Sequence, residues 1–372
     1  MHTRSGKILL LLLGIFISPL ILYSQSTIVW TGAGTSWGTS TNWTPNIVPN
    51  GKRLEWNGLG RDTSNNNQGS PITYRKLSFS GTKSYTITGN QITLYDKTLG
   101  GFGWIQSSST VPQSIKLNQF PTSQVIFIDT LKSGVISTSS TGTLYLGNIG
   151  MGSLLNSLKI YGENIAATIT IGGAITGSKL ITIGPNESGD LKLNTRAIFS
   201  GNNSFFTGPI HIESGSLTLL ATNSDGNSAT EYITVENNAA LNLGRAVPAT
   251  SPITLSGKKI ILNGPGISST GALRNVAGVN TISSNVLLDN NSTIISAGGT
   301  LNLTHIGKVA GGALDWDLTF AGGNAINILS TGSIGTLNDS LPLGNLIKRE
   351  AGLLTISGPC NFTGGITLFN NA

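Results

Sequence analysis

The chain has 372 residues, of which 49 are glycine, 10% are charged, 38% are hydrophobic and one is cysteine. No 3.6-residue apolar period appears after Gln25, which excludes a helical protein. The hydrophobic fraction is too high for disorder, and the single cysteine, Cys360, excludes an internal disulfide framework. The net charge is +6, and setting aside Arg4 and Lys7 near the N-terminus leaves 20 basic against 16 acidic side chains. The densest basic groups are Arg75-Lys76, Lys258-Lys259 and Lys348-Arg349, so there is no electrostatic footprint for nucleic acid.

In chain order, residues 1–25 read as a signal peptide. His2, Arg4 and Lys7 precede an apolar run from Ile8 to Leu22, and Ser24-Gln25-Ser26 offers a small-x-small cleavage site. The run is too short to span a membrane and carries Pro19 near its end. Residues 26–74 hold Trp30, Trp37, Trp43 and Trp56, with Pro45, Pro49 and Asn65-Asn66-Asn67, and read as an N-terminal cap or head.

From residue 75 to residue 372 the texture is uniform. Apolar doublets flank one other residue, as in Leu144/Leu146, Ile169/Ile171, Leu217/Leu219, Leu241/Leu243, Leu301/Leu303 and Leu354/Ile356. This period of two points both apolar side chains to one face of a strand. Gly172-Gly173, Asn237-Asn238, Gly298-Gly299 and Gly322-Gly323 are turn signals between doublets. Leu217 to Leu241 is one full step of the pattern, and Ile169 to Ile181 is half of one. That quasi-period predicts a solenoid with two or three short strands per turn, an all-β parallel β-helix. With roughly 20–25 residues per rung the segment predicts roughly 12–14 rungs and a rod about 60 Å long. Glycine and asparagine supply the left-handed corners.

Two segments match each other: SGNNSFFTGPIHIESGSL from Ser200 to Leu217, and SGPCNFTGGITLFNNA from Ser357 to Ala372. Leu354-Thr355-Ile356-Ser357-Gly358 followed by Phe362-Thr363-Gly364 resembles the repeat of autotransporter-associated β-strand repeat proteins. The stretch Gly264 to Gly307 and the opening Trp30-x-Gly32, Trp37, Asn42-Trp43, Pro49 are similar to the same family. The resemblance implies a right-handed parallel β-helix on an exported, passenger-like surface protein of Gram-negative bacteria, often adhesin-like, with no catalytic motif to carry over. It also implies that repeats continue past Ala372. Without that continuation the last rung is an open edge, and self-association through the C-terminal edge is then expected.

No catalytic, cofactor-binding or metal-binding residue is assigned. Asp315 and Asp317 flank Trp316, and on a strand both carboxylates would share one face; that pairing suits sugar chemistry or a solvated strand face. Parallel β-helix polysaccharide lyases need clustered carboxylates and a basic proton abstractor, whereas the acids here are scattered along the sequence. His211 and His305 are isolated and make no zinc site by ligand count. Trp30, Trp37, Trp43 and Trp56 fit either a sugar-stacking platform or, more economically, the filling of a cap. The expected function is a secreted or surface-exposed, non-catalytic, adhesin-like or structural repeat protein. Its expected partners are glycans, extracellular matrix or other cells, bound weakly and many times over. The alternatives are a carbohydrate-active β-helix enzyme and a surface-layer or filament element.

Overall fold

The computed structural model describes residues 27–69, 72–96, 103–117, 124–128, 133–164, 167–185, 195–245, 252–309, 315–335 and 342–369. The segment read as a signal peptide, residues 1–25, lies outside them. The described chain is half strand and forms parallel stacked coils, a β-solenoid of about 11 turns. One sheet of 16 strands runs from Thr27–Trp30 to Leu354–Ile356. A second of 13 strands runs from Thr63–Asn66 to Ile366–Leu368. A third, of five strands, spans only Thr73–Tyr74 to Ile175–Thr176.

Alternation builds the core. In the long sheet the inward column runs Leu54, Leu77, Ile105, Ile136, Ile160 and Ile183, each in register with the next and each without solvent exposure. In the second sheet Leu144, Ile169, Ala197, Leu217, Leu241 and Leu273 form the matching column. Burying each Ile or Leu contributes about 1.5–3 kcal/mol. The backbone groups between them pair with the turns above and below, so the interior needs few polar side chains to satisfy it.

The step from Leu217 to Leu241 is one full turn, since the two are register partners. The half-step from Ile169 to Ile181 crosses from the second sheet to the first. Turn length varies, however. The turn that brings Leu288 onto Lys308 is short, whereas the turn that brings Ile105 onto Ile136 is half as long again. The coil therefore has about 11 turns, fewer than the 12–14 that a uniform step gives, because corner loops lengthen many turns without adding a rung.

At the N-terminal end Trp43–Thr44 pairs antiparallel with Thr27–Trp30, the one antiparallel pairing between described strands. Trp30, Trp37, Trp43 and Trp56 have no exposed surface. Their rings meet edge to face, as for Trp30 on Trp43 at 4.8 Å and Trp37 on Tyr74 at 5.3 Å, and Trp56 stacks on Phe79 at 5.2 Å. The four tryptophans thus pack together at the N-terminal end of the coil. The cap joins the coil without a break, because Arg53–Trp56 pairs in parallel with Lys76–Phe79. In the last described turn the inward positions Ile366 and Leu368 stand exposed, 62% and 74%.

Candidate functional site

Outside the core, each sheet presents rows of side chains that recur from turn to turn. Thr281, Asn302, Asn327 and Thr355 are register partners on the long sheet. Asn302 Nδ2 donates to Thr281 Oγ1 at 3.4 Å, and Asn327 Nδ2 donates to Asn302 Oδ1 at 3.0 Å. On the second sheet Asn242 Nδ2 donates to Thr218 Oγ1 at 3.3 Å. Such rows hold hydroxyls and amides at the spacing of the strands, about 4.8 Å.

Clefts among the described residues interrupt these faces. One, of about 310 Å³, lies on the second sheet beneath the loop 265–269 and is bounded by Ser269, Asn291, Arg349 and Glu350 over a floor that includes Ile295 and Thr319. Its surroundings hold backbone outliers: Ser268, Ser269 and Glu350 take φ of 48°, 61° and 62°. For residues other than glycine that conformation costs about 1–2 kcal/mol each, and such strain clusters at binding sites. Glu350 is held by Gly322 N, which donates to its Oε2 at 3.0 Å, and the Arg349 guanidinium lies 5.2 Å from the Phe369 ring centre. Another cleft, of about 270 Å³, lies on the long sheet among Arg53, Glu55, Lys76, Ser78 and Gln106. Beside it Lys76 Nζ sits 3.9 Å over the Trp104 ring, whose Nε1 donates to Ser137 Oγ at 2.8 Å.

The structure places the sequence candidates as follows. Asp315 and Asp317 do not lie on a strand: they precede Leu318–Ala321, so the shared strand face expected for them is not formed. Each carboxylate ties neighbouring turns together. Asp315 Oδ2 accepts from Thr363 Oγ1 at 2.7 Å and its Oδ1 from Lys308 Nζ at 3.3 Å. Asp317 Oδ1 accepts from Asn345 N at 2.7 Å and from Asn345 Nδ2 at 3.0 Å. These donors, the Thr363 hydroxyl first, hold the Asp315 carboxyl below its ordinary range, the opposite of what a proton-donating acid requires. Trp316 packs against the core between them.

His211 points outward, as the alternation requires, between two carboxylates. Its Nε2 is 2.7 Å from Glu236 Oε1 and its Nδ1 is 3.6 Å from Glu213 Oε1. His305 Nδ1 lies 3.2 Å from Ser333 Oγ. Among the described residues no group of three or more His, Cys, Asp or Glu side chains is arranged to hold a metal ion. The four tryptophans of the cap are buried and offer no face for stacking a sugar. Cys360 is exposed.

Sequence reasoning misses the cleft at Arg349-Glu350 and a buried pair, Asp225 with Lys258. The first is assembled from segments far apart in the chain, and its only local signal is the Gly-Ile-Ser-Ser-Thr-Gly loop from Gly266 to Gly271. The second is concealed by residue type, since Lys and Asp are read as solvated unless a partner is known. No family of known sequences, no curated protein and no solved structure matches this chain.

Proposed function

We propose that this protein is an exported, surface-exposed rod without catalytic activity, adhesin-like or structural, which presents its outward rows and clefts to glycans, extracellular matrix or other cells. The observation that carries the reading is the division of labour across the strand. Inward positions form one hydrophobic core from Ile28 to Leu346, while outward positions repeat Thr and Asn at strand spacing, as in the row Thr281, Asn302, Asn327, Thr355. A row of equivalent groups favours many weak contacts whose avidity exceeds any one affinity. The apolar run Ile8 to Leu22 supports export, and the repeat resemblance at Leu354 to Gly364 supports a passenger-like role.

The test is to express the full chain with its N-terminal segment in a Gram-negative host and to assay both location and binding. Surface labelling or recovery from the medium, with retention of the purified protein on arrays of extracellular polysaccharides, is expected. Retention in the cytoplasm with the N-terminal segment uncleaved would overturn the export part. Release of reducing ends from any of those polysaccharides would overturn the non-catalytic part in favour of a carbohydrate-active enzyme.

A further inference from the structure

The third sheet ends at Ile175–Thr176, and above it the same corner is filled by turns. Gly177 bridges to Phe206, whose carbonyl accepts the amide of Asn227 at 2.9 Å. Into this corner two charged side chains enter with no solvent exposure, Asp225 and Lys258. They are fixed by their backbones: Lys258 N donates to Asp225 Oδ2 at 3.3 Å, and Asn203 Nδ2 holds Ser224 O at 2.7 Å. The two segments Asp225-Gly226 and Gly257-Lys258 lie face to face with a glycine opposite each functional group. A Cβ on Gly226 would fall 2.7 Å from Lys258 Nζ, and a Cβ on Gly257 would fall 3.1 Å from Asp225 Oδ2. A Cβ at either position would meet backbone first, Phe206 O at 2.4 Å and Gly226 O at 2.2 Å, so both positions require glycine.

The charges are poorly served there. Lys258 Nζ makes a long hydrogen bond, 3.4 Å to Phe206 O, and lies 4.7 Å from the centre of the Phe206 ring. Asp225 Oδ1 is buried without a hydrogen-bond partner. A buried acid and a buried amine that lack good partners are each stabilised by becoming neutral. Burial pushes the Asp225 carboxyl up to about 6 against the opposing pull of Lys258, and pulls the Lys258 amine down to about 8 against Asp225 and Glu231. Both shifts raise the share of neutral acid and of neutral amine, the reactants of an amide.

We propose that Lys258 and Asp225 are a site of covalent self-modification, an intramolecular isopeptide bond between Lys258 Nζ and Asp225 Cγ. The lone pair of the neutral amine attacks Cγ, the N–C bond forms, one C–O bond breaks, and the departing hydroxyl leaves with an amine proton as water. No oxidant or cofactor is needed. The movement required is the approach of Nζ to Cγ, between which Gly226 and Gly257 place no side-chain atom. The product removes both buried charges and staples positions 33 residues apart, across one turn of a chain whose single cysteine allows no internal disulfide.

Mass spectrometry of the folded full chain tests this. The expected result is a mass lower than that of the processed sequence by one water, with a branched tryptic product that joins the peptide of Asp225 to that of Lys258. Asp225-Gly226 can also lose water by closing to a succinimide, so Lys258→Arg is the control: its mass should return to the full value. Should Lys258→Arg not fold, Asp225→Asn keeps the reaction but expels ammonia, giving the same branched product from a chain lighter than its own sequence by ammonia. An unmodified wild-type mass, meaning a non-covalent pair only, or a water loss that persists in Lys258→Arg, would overturn the proposal.

Discussion

At the scale of single residues, Asp225 separates burial from pairing. Lys258→Met removes the amine and leaves the carboxyl in the same apolar corner, without the cation that opposes burial. The folded-state pKa is then at least as high as the about 6 of the free carboxyl beside an unbonded Lys258, against an ordinary value of 3.8. The folded chain thus binds the proton more tightly than the unfolded chain. This contribution to stability is fully present below the unfolded value and is lost as the pH rises through the folded one. The shift corresponds to about 3 kcal/mol. Thermal melting of Lys258→Met is expected to rise between pH 7 and pH 4 relative to the double variant Lys258→Met/Asp225→Asn; equal pH dependence in the two would contradict the burial argument. The sequence shows Asp225 and Lys258 only as members of Ser-Asp-Gly-Asn and Gly-Lys-Lys turns. Their burial arises because the third sheet stops and turns fill its place, and no local pattern encodes that. The cap tryptophans are legible for a different reason. Four indoles close together in a polar stretch, from Trp30 to Trp56, have to share one burial site.

At the scale of strands and corners, the apolar doublets identify the inward faces, because a period of two has one geometric meaning. Leu217/Leu219 and Leu241/Leu243 are both register partners and both fully buried. What the doublets do not carry is turn length, which is decided at corners where backbones touch. Gly201 is such a corner: a Cβ there would lie 1.9 Å from Gly173 O, a backbone atom of the turn below. Gly323 has nothing within 4 Å and no left-handed φ. Gly201→Ala is therefore expected to destabilise by about 1–3 kcal/mol, as forced overpacking does, whereas Gly323→Ala should be neutral or stabilising by about 0.4–1 kcal/mol through the unfolded state. Chemical denaturation of the pair checks this, and similar losses in both would show that inter-turn contact does not set the cost. Asp315 and Asp317 show the same limit of local reading. They sit in a corner rather than on a strand, and they serve as brackets between turns.

At the scale of the whole molecule, the coil makes each turn depend on its neighbours, so stability is a sum along one axis, as in other solenoids. The Trp-filled end closes that axis with an antiparallel strand. The outer rows then become rulers. Ser114, Tyr145, Thr170, Ile198 and Thr218 are successive partners on the second sheet, and Asn242, Arg274 and Ile295 continue the row. The proposed function rests on this geometry, because the coil repeats an outward group once per turn at a constant interval. The most direct test is pulsed electron spin resonance between nitroxide pairs at Ser114 and Thr218, and at Ser114 and Ile295, in a Cys360→Ser background. Four and seven turns apart, they should show backbone separations of about 19 Å and about 34 Å, growing in proportion to the number of turns. Separations that fail to grow, or that alternate as they would across two sheets joined by hairpins, would contradict the coil.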